Sequence, residues 1–303
     1  MSSATVNLTT RLRSWLLVAG LTALLIAVGA AIGGGFLYLF VGLAVLMNAI
    51  GYWFSDRIAL RASRARPFAD GEGPELHELV TELAGRAAVP VPRLYLIEEA
   101  QPNAFATGRN PANSAVAVTS GLLASLPRDQ VRAVLAHELA HVRNRDILVS
   151  SVAAMISAAI AAIANVIQLS YLFGGHDEDS GPLAWLGTLA AIMIAPIAAT
   201  LLQLGVSRQR EYLADATAAG LLGEGGSLAD ALETLEQQAA ARPLAVNPAI
   251  ASLYITNPLS RHGVATLFAT HPPIAERVRR LRGYDVSDEQ EQSAFTSARA
   301  RAS

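Results

Sequence analysis

The hydrophobic positions of the chain are concentrated in two long uncharged runs. The first covers residues 14–54 and has three consecutive glycines, Gly33 to Gly35, near its middle. A helix that crosses a bilayer needs about 20 apolar residues, so this run is long enough for two spans. We predict a hairpin with one helix from Trp15 to Ile32 and a second from Phe36 to Phe54. The alternative is a cleaved signal peptide over residues 11–31, but a second apolar stretch follows it at once.

The second uncharged run lies in the middle of the chain and is also divided by a polar turn. Ile147 to Phe173 carries no charge, nor does the stretch from Pro182 to the residue before Arg208, and the acidic segment 174–181 separates the two. This pattern predicts a second transmembrane hairpin over residues 147–204. A buried helical hairpin inside a globular domain would give the same pattern and is the alternative.

Arginines flank both runs but are absent from both hairpin tips. Because arginine-rich flanks stay on the cytoplasmic side of a membrane, we predict a multi-pass protein of the inner (plasma) membrane. Both termini and all polar segments are then cytoplasmic. The flanking arginines are Arg11, Arg13, Arg57, Arg61, Arg64, Arg66, Arg143, Arg145, Arg208 and Arg210.

The polar sequence around the second run predicts a soluble domain in two parts. Residues 55–146 have the pattern of an α/β unit, and residues 205–284 are mostly helical in pattern. Residues 1–13 form a short N-terminus, and residues 285–303 have little apolar surface to bury, which predicts a disordered tail. The expected fold is a mainly α membrane protein with about four transmembrane helices and a cytoplasmic α/β domain. In the first part we expect helices over 74–87 and from 126 towards 143, and strands over 93–97, 103–107 and 115–119.

The composition of the 303 residues agrees with a membrane protein and excludes several kinds of site. Hydrophobic residues make up 52% and charged residues 16%, and the mean hydropathy is +0.36. Soluble domains carry about 25% charged residues. The net charge of -2 leaves no basic excess for a phosphate backbone, so we expect no nucleic-acid partner. The chain has no cysteine, which excludes a disulfide, a cysteine nucleophile and a thiolate metal site.

The helix predicted towards Arg143 carries an H-E-x-x-H pattern formed by His137, Glu138 and His141. Residues four apart share one face of a helix, so both imidazoles can reach a single ion. Zinc accepts histidine nitrogen and carboxylate oxygen, and a catalytic zinc leaves one position open for water. Glu138 lies beside the first ligand and can reach that water. Two surface histidines on an ordinary helix are the alternative.

A third protein ligand is expected after the second apolar run. Glu211 and Asp215 are again four residues apart on one predicted helix. This spacing suits a carboxylate ligand with a second carboxylate behind it that orients a ligand imidazole. An exposed acidic helix face would have the same spacing.

The order of these motifs resembles that of the HtpX-type membrane zinc metalloproteases over nearly the whole chain. More distantly, the chain is similar to the CAAX prenyl proteases, which share the ligand pattern. The resemblance implies a zincin-like (gluzincin) domain with one Zn²⁺ per chain at His137, His141 and Glu211, with Glu138 catalytic. It also implies a role in the quality control of membrane proteins. The matching motifs are residues 137–141, residues 207–215, Asn103 to Gly108, and Thr270 to Pro273.

The hypothesis is zinc-assisted peptide hydrolysis in which Glu138 accepts the proton of the attacking water. Another group has to stabilise the oxyanion besides zinc. His271 can equally be a structural residue at a helix start, and Arg210 can equally form an ion pair with a carboxylate such as Asp215. The candidates for the transition state are Arg208, Arg210, Tyr212 and His271.

An extended substrate can pair with a sheet edge, and residues 103–106 and the strand near Val116 are the candidate edges. Asn103 and Ala104 are the candidates for binding the substrate backbone. The Asn-Ala-Phe string at this point resembles the substrate-pairing edge strand of thermolysin-like zinc proteases, although a plain core strand is the competing interpretation.

The predicted ligands lie close to the predicted spans. His141 is six residues before Ile147, and Glu211 is seven residues after Leu204, so each ligand is about 10 Å from a membrane helix. We therefore expect unfolded or membrane-proximal protein substrates at the cytoplasmic face. The alternatives are an intramembrane zinc protease, a CAAX-type prenyl-protein protease and a non-catalytic membrane scaffold.

Overall fold

The computed structural model describes three stretches of the chain. The first predicted span, the disordered tail, His271 and all of the second predicted hairpin except Ile147 lie outside them. Residues 36–54, predicted as the second span, are helical. Within the described stretches, no helix combines the length and the hydropathy needed to cross a membrane. The described residues are 36–147, 208–241 and 272–284, with isolated positions at 19, 22, 23, 26 and 255.

Helix α1 (Phe36–Ala62) leads into the sheet and covers one of its faces. Ala59 and Leu60, near its end, are buried against Phe105 and Ala117 of the sheet. Asp56 of the same helix end accepts a hydrogen bond of 2.6 Å from Arg93. The last turns of α1 are therefore fixed to the sheet by both apolar and charged contacts.

Four strands form one mixed sheet in the order β1-β2-β4-β3. β2 and β4 are parallel, whereas β1 pairs with β2 and β3 pairs with β4 in antiparallel fashion. The strands predicted over 93–97, 103–107 and 115–119 are confirmed to within one residue, and β1 was not predicted. The strands are β1 (Arg66–Pro67), β2 (Arg93–Ile97), β3 (Ala104–Gly108) and β4 (Ser114–Thr119).

Side chains of the sheet alternate between two apolar cores, as the two-residue period of a strand requires. Val116 and Val118 of β4 face the helical layer, whereas Ala115 and Ala117 face α1. β3 follows the same rule, because Ala104 and Ala106 face the helices and Phe105 faces α1. The main core therefore lies between the sheet and the helices that follow it.

Helices α2 and α4 form the layer that packs on the sheet. α2 (Pro74–Ala87) buries residues spaced three and four apart, which is the apolar stripe of an amphipathic helix. The short helix α3 (Ser120–Ser125) is capped by the Thr119 hydroxyl, which accepts a hydrogen bond from the N–H of Leu122. α4 (Arg128–Asn144), the helix predicted to carry the H-E-x-x-H pattern, follows and is largely buried.

Three further helices confirm the helical pattern of the second polar part. They are α5 (Arg208–Leu222), α6 (Gly226–Ala241) and α7 (Ile274–Arg282). α5 packs against α4, and α7 packs against both α6 and α5. The end of α7 approaches α6 very closely at Gly225, where an added Cβ would overlap the backbone carbonyl of Leu281. A glycine at this position therefore sets how near α7 can lie to the rest of the domain.

Replacement of Gly225 by alanine should lower the free energy of unfolding by about 1–3 kcal/mol, because the new methyl group forces α7 away from α6. Gly85→Ala is the matched control, since Gly85 is an exposed position inside α2 with open space around its Cα. This control should raise stability by about 0.5–1 kcal/mol through helix propensity. Chemical denaturation of the two variants measures both effects, and a neutral Gly225→Ala would contradict the close approach.

Candidate metal centre

The end of helix α4 positions the first two predicted ligands and folds the chain back onto them. Arg145 adopts the left-handed conformation with φ 62°, and its N–H donates to the carbonyl of Val142. The N–H of Asp146 then donates to the carbonyl of His141. This pair of bonds is the Schellman ending of a helix. It returns the Asp146 carboxylate to the helix it has just left, 3.3 Å from Nδ1 of His141.

The three side chains predicted as metal ligands meet at one point. The Nε2 atoms of His137 and His141 are 3.1 Å apart. Glu211 of α5 places Oε1 3.6 Å from Nε2 of His141 and Oε2 3.7 Å from Nε2 of His137. Tetrahedral ligands at zinc distances of 2.0–2.1 Å lie about 3.3–3.4 Å from one another. The spacing of these atoms therefore fits a single metal ion, and these three residues can hold one.

Each imidazole has a carboxylate at its outer nitrogen. Nδ1 of His137 lies 3.0 Å from Oδ1 of Asp215, and Nδ1 of His141 lies 3.3 Å from Oδ2 of Asp146. A neutral imidazole that donates from Nδ1 keeps the Nε2 lone pair for a metal. Both ligand nitrogens are thus turned towards the same centre by buried acceptors.

The charges around His141 raise its affinity for a proton in the absence of metal. Burial lowers the pKa of His141, but the hydrogen bond with Asp146 and the charge of Glu211 outweigh burial and raise the pKa to about 9. A metal ion that binds Nε2 has to compete with this proton. The same negative charges favour the cation once the proton has left.

Glu138 lies in the same buried region as the ligands. Burial raises the pKa of Glu138 above its ordinary value, against the charges of His137 and His141 and a hydrogen bond from the backbone N–H of Ala106, which all lower it. The bond to Ala106 connects this carboxylate to strand β3. A carboxylate with a raised pKa, fixed beside a metal position, is suited to accept and return a proton.

Two buried residues of the site were missed by the sequence analysis. Arg277 of α7 is fully buried and makes two hydrogen bonds with Asp215, of 2.8 Å from Nε and 2.7 Å from Nη2. Asp146 is the other. Arg277 lies six residues after His271, one of the predicted site residues, and Asp146 lies five after His141. A search of positions just beyond each motif for charged residues could have found both.

The four predicted transition-state residues differ in their burial and in how much of each the structure describes. Arg210 is buried near Asp146 and Glu211, and burial lowers its pKa. Tyr212 is partly buried, with its ring 3.8 Å below the guanidinium of Arg280. Arg208 begins α5, and its side chain lies outside the described part, as does His271.

The substrate-backbone candidates are buried and are bonded to the chain itself. The side-chain oxygen of Asn103 accepts from the N–H of Ile255 at 3.1 Å and from the N–H of Ala104. The carbonyl of Ala104 also accepts from the N–H of Ile255, at 3.3 Å. Within the described residues, β3 is the last strand of the sheet on this side. The strand with Val116, the other candidate edge, is not an edge, because β4 pairs with β2 on one side and with β3 on the other.

Comparison with known proteins decides the family. The model of "Peptidase family M48" matches residues 71–285, which is most of the chain. The chain belongs to peptidase family M48. It is therefore a metalloprotease, which disfavours the non-catalytic scaffold and agrees with the cluster of His137, His141 and Glu211.

Relatives of this M48 peptidase match over nearly their full length. A "Protease HtpX homolog" of Syntrophobacter fumaroxidans is 50% identical over 279 residues, covering 90% of this chain and 98% of the relative. The homolog of Pelotomaculum thermopropionicum is 48% identical over 274 residues, 89% of this chain and 97% of the relative. The crystal structure of S. mikatae Ste24p has the same fold, with a TM-score of 0.50, 22% identity, and coverage of 92% of this chain and 67% of that one. The resemblance to HtpX-type proteases is confirmed.

Asp146→Asn should weaken the binding of a divalent metal ion about 10-fold, because the amide holds the His141 imidazole less firmly than the carboxylate. Zn²⁺ is the probe, titrated into the metal-free full-length protein against a chromophoric chelator. Asp129→Asn, an exposed residue at the start of the same helix, is the control and should bind Zn²⁺ as the wild type does. Equal affinity of Asp146→Asn and wild type would exclude a role of Asp146 in orienting the imidazole.

Proposed function

We propose that this M48 peptidase is a membrane-bound zinc endopeptidase that cleaves misfolded or membrane-proximal proteins at the cytoplasmic face. The observation that carries the proposal is the meeting of His137, His141 and Glu211 beside the buried carboxylate of Glu138. In sequence, the apolar run 147–204 separates Glu211 from the other residues, which all lie within 137–141.

Zinc is the ion that this donor set favours. Two imidazole nitrogens and one carboxylate oxygen are the three protein ligands typical of a catalytic zinc with an open position. When bound, zinc lowers the pKa of its water to about 7 and polarises the carbonyl of the substrate. His137, His141 and Glu211 would hold it, one ion per chain. The carboxylates of Asp215 and Asp146 would keep the imidazoles in the orientation this requires.

Glu138 is the group that moves protons in the proposed reaction. Its carboxylate accepts a proton from the attacking water and returns it to the leaving amine. Burial raises the pKa of Glu138. The raised pKa lies nearer to the pKa values of the water that gives the proton and of the amine that receives it. The N–H of Ala106 fixes the carboxylate next to β3, the strand that would pair with the substrate. Proton transfer and substrate binding would therefore occur at adjacent points.

Strand β3 is the proposed binding edge for the substrate backbone. Ala104 directs its carbonyl away from β4, and this carbonyl now accepts a hydrogen bond from Ile255. A peptide that pairs with Ala104 or with the side chain of Asn103 would have to replace the bond from Ile255. Of the four candidates for oxyanion stabilisation, Arg210 has the clearest support, because its side chain is buried close to Glu211.

The membrane placement rests on the apolar runs and on the surface of α1. Large apolar side chains of this helix are exposed, among them Tyr38 at 80%, Val45 at 65% and Trp53 at 56%. Exposed apolar patches of this kind are costly in water and favourable in contact with lipid. We propose four transmembrane helices, an inner (plasma) membrane location, and cytoplasmic termini and active site. Membrane proteins and unfolded segments are then the substrates that reach the site most readily.

The proposed roles separate metal binding from proton transfer. Glu138→Gln should retain wild-type zinc content and lose proteolysis by at least about 100-fold, because the amide cannot accept the proton. Glu211→Ala should lose both zinc and proteolysis, because it removes a metal ligand. Zinc content by atomic emission and cleavage of casein, measured on the full-length protein in detergent micelles, give the two readouts.

The control for these variants is Glu236→Gln, an exposed glutamate of α6 that should keep both zinc and activity. Digestion of casein by Glu138→Gln at the wild-type rate would show that another group transfers the proton. Full zinc content in Glu211→Ala would exclude Glu211 as a ligand.

Membrane proximity can be tested with paired substrates. The same cleavable loop is placed either about 5 or about 40 residues from a transmembrane helix, and both substrates are reconstituted with the protease in one type of liposome. The near loop should be cut several-fold faster, because His141 and Glu211 lie only six and seven residues from the predicted membrane helices. In detergent without a bilayer the difference should shrink. Equal rates in liposomes would contradict the proposed placement.

A further inference from the structure

Arg277 is buried at the centre of the site although it is neither a metal ligand nor near one in sequence. Its side chain has no exposed surface, and its guanidinium lies against His137, Glu211 and Asp215. A buried charge costs several kcal/mol unless it is paired and hydrogen-bonded. The position of Arg277 therefore requires partners, and the partners it has belong to the metal centre.

The guanidinium holds both oxygens of Asp215. Nε donates to Oδ2 at 2.8 Å, and Nη2 donates to Oδ1 at 2.7 Å. This two-point contact fixes the plane of the carboxylate, which a single bond would leave free to rotate. The carboxylate is thus held in one orientation.

The fixed carboxylate in turn determines where His137 points. Oδ1 of Asp215 has two lone-pair positions, of which Nη2 of Arg277 occupies one. The other faces Nδ1 of His137 at 3.0 Å. Rotation of the carboxylate would carry this acceptor away from the imidazole and free the ring to turn or change tautomer. The orientation of a ligand on α4 is therefore set by a residue on α7.

The same guanidinium also faces the third ligand. Nη1 lies 3.6 Å from Oε2 of Glu211. Nη1 is buried and has no hydrogen-bond partner within the described residues. Its charge holds the Glu211 carboxylate near the two imidazoles without a close bond that would compete with a metal. One side chain thus acts on two of the three ligands.

We propose that Arg277 is a positioning residue of the metal site, which orients His137 through Asp215 and retains Glu211 by its charge. The inference rests on the proposed function, because it assumes that the three ligands bind zinc. This proposal gives α7 a specific role. The helix brings the guanidinium of Arg277 to the site, although Arg277 lies 140 residues after His137 in the chain.

The substitution Arg277→Lys separates the effect of the positive charge of Arg277 from the effect of its planar geometry. A lysine keeps the positive charge but presents a single ammonium in place of the planar fork. If Arg277 served only to neutralise Asp215, Arg277→Lys would bind zinc as the wild type does. If it positions the carboxylate, Arg277→Lys should lose about 10-fold or more in zinc affinity. Arg279→Lys is the matched control, on the same helix but with an exposed side chain.

A double-mutant cycle tests whether Arg277 affects zinc binding through Asp215. Arg277→Lys and Asp215→Asn should each lower zinc affinity about 10-fold, and the double variant should lose little more than either alone, because both break the same link. Arg277→Lys combined with Asp146→Asn should lose about 100-fold, because Asp146 orients the other imidazole. The affinities are measured by chelator competition on the full-length protein in detergent micelles, beside the unfolding temperature of the metal-free form.

The outcomes decide between this inference and the proposed function. Wild-type zinc affinity in Arg277→Lys, or additive losses with Asp215→Asn, would overturn the positioning role while leaving the endopeptidase intact. A wild-type protein that binds no zinc would instead refute the proposed function. If Arg277→Lys is not recovered in a folded form, Arg277→Gln takes its place. That variant should lose at least as much zinc affinity, because it also removes the charge that faces Glu211, and its effect should still be less than additive with that of Asp215→Asn.

Discussion

The ionisable side chains around His137 and His141 are almost wholly buried. The need to pair their charges inside the protein is the constraint on which the rest of the structure depends. Among the described residues, four buried carboxylates surround the site together with two buried arginines. With both histidines neutral, this leaves an excess of two negative charges, which one divalent cation would cancel. Because unpaired charges are so costly in a protein interior, the helices that carry these groups have to meet at fixed distances. The charged groups are Glu138, Asp146, Glu211, Asp215, Arg210 and Arg277.

The fold meets this constraint by bringing three helices and one strand to a single point. α4 supplies two imidazoles, α5 supplies two carboxylates, and α7 supplies the arginine that joins them. Strand β3 adds a backbone N–H to Glu138. The close contact of α7 with α6 at Gly225 and the turn at Arg145 are therefore requirements of the site as much as of the core.

Most of the predicted elements and ligands could be found in the sequence because their signals are local. The two-residue alternation predicts the strand near Leu94, and the turn at residues 108–111 between two short apolar stretches predicts those near Phe105 and Val116. The spacing of four predicts that His137 and His141 share a helix face. Arg277 and Asp146 escaped because each lies beyond the end of a recognised motif, where the spacing of the motif itself does not include it. Strand β1 escaped for a related reason, since two residues carry no periodicity and Arg66 and Pro67 pair only because β2 lies beside them.

The sequence by itself determined the apolar runs, the periodicity of the helices and strands, and the residue types able to bind a metal. These follow from neighbours within a turn or two of the backbone, where spacing alone decides which side chains share a face. Only the tertiary structure decided that Glu211 meets the two imidazoles, that Arg277 fixes Asp215, and that Ile255 lies on the edge of β3. Such contacts join segments that lie 62 to 152 residues apart in the chain, and they depend on how whole helices pack. Packing is set by the shape and burial of every face at once, which no short stretch of sequence encodes.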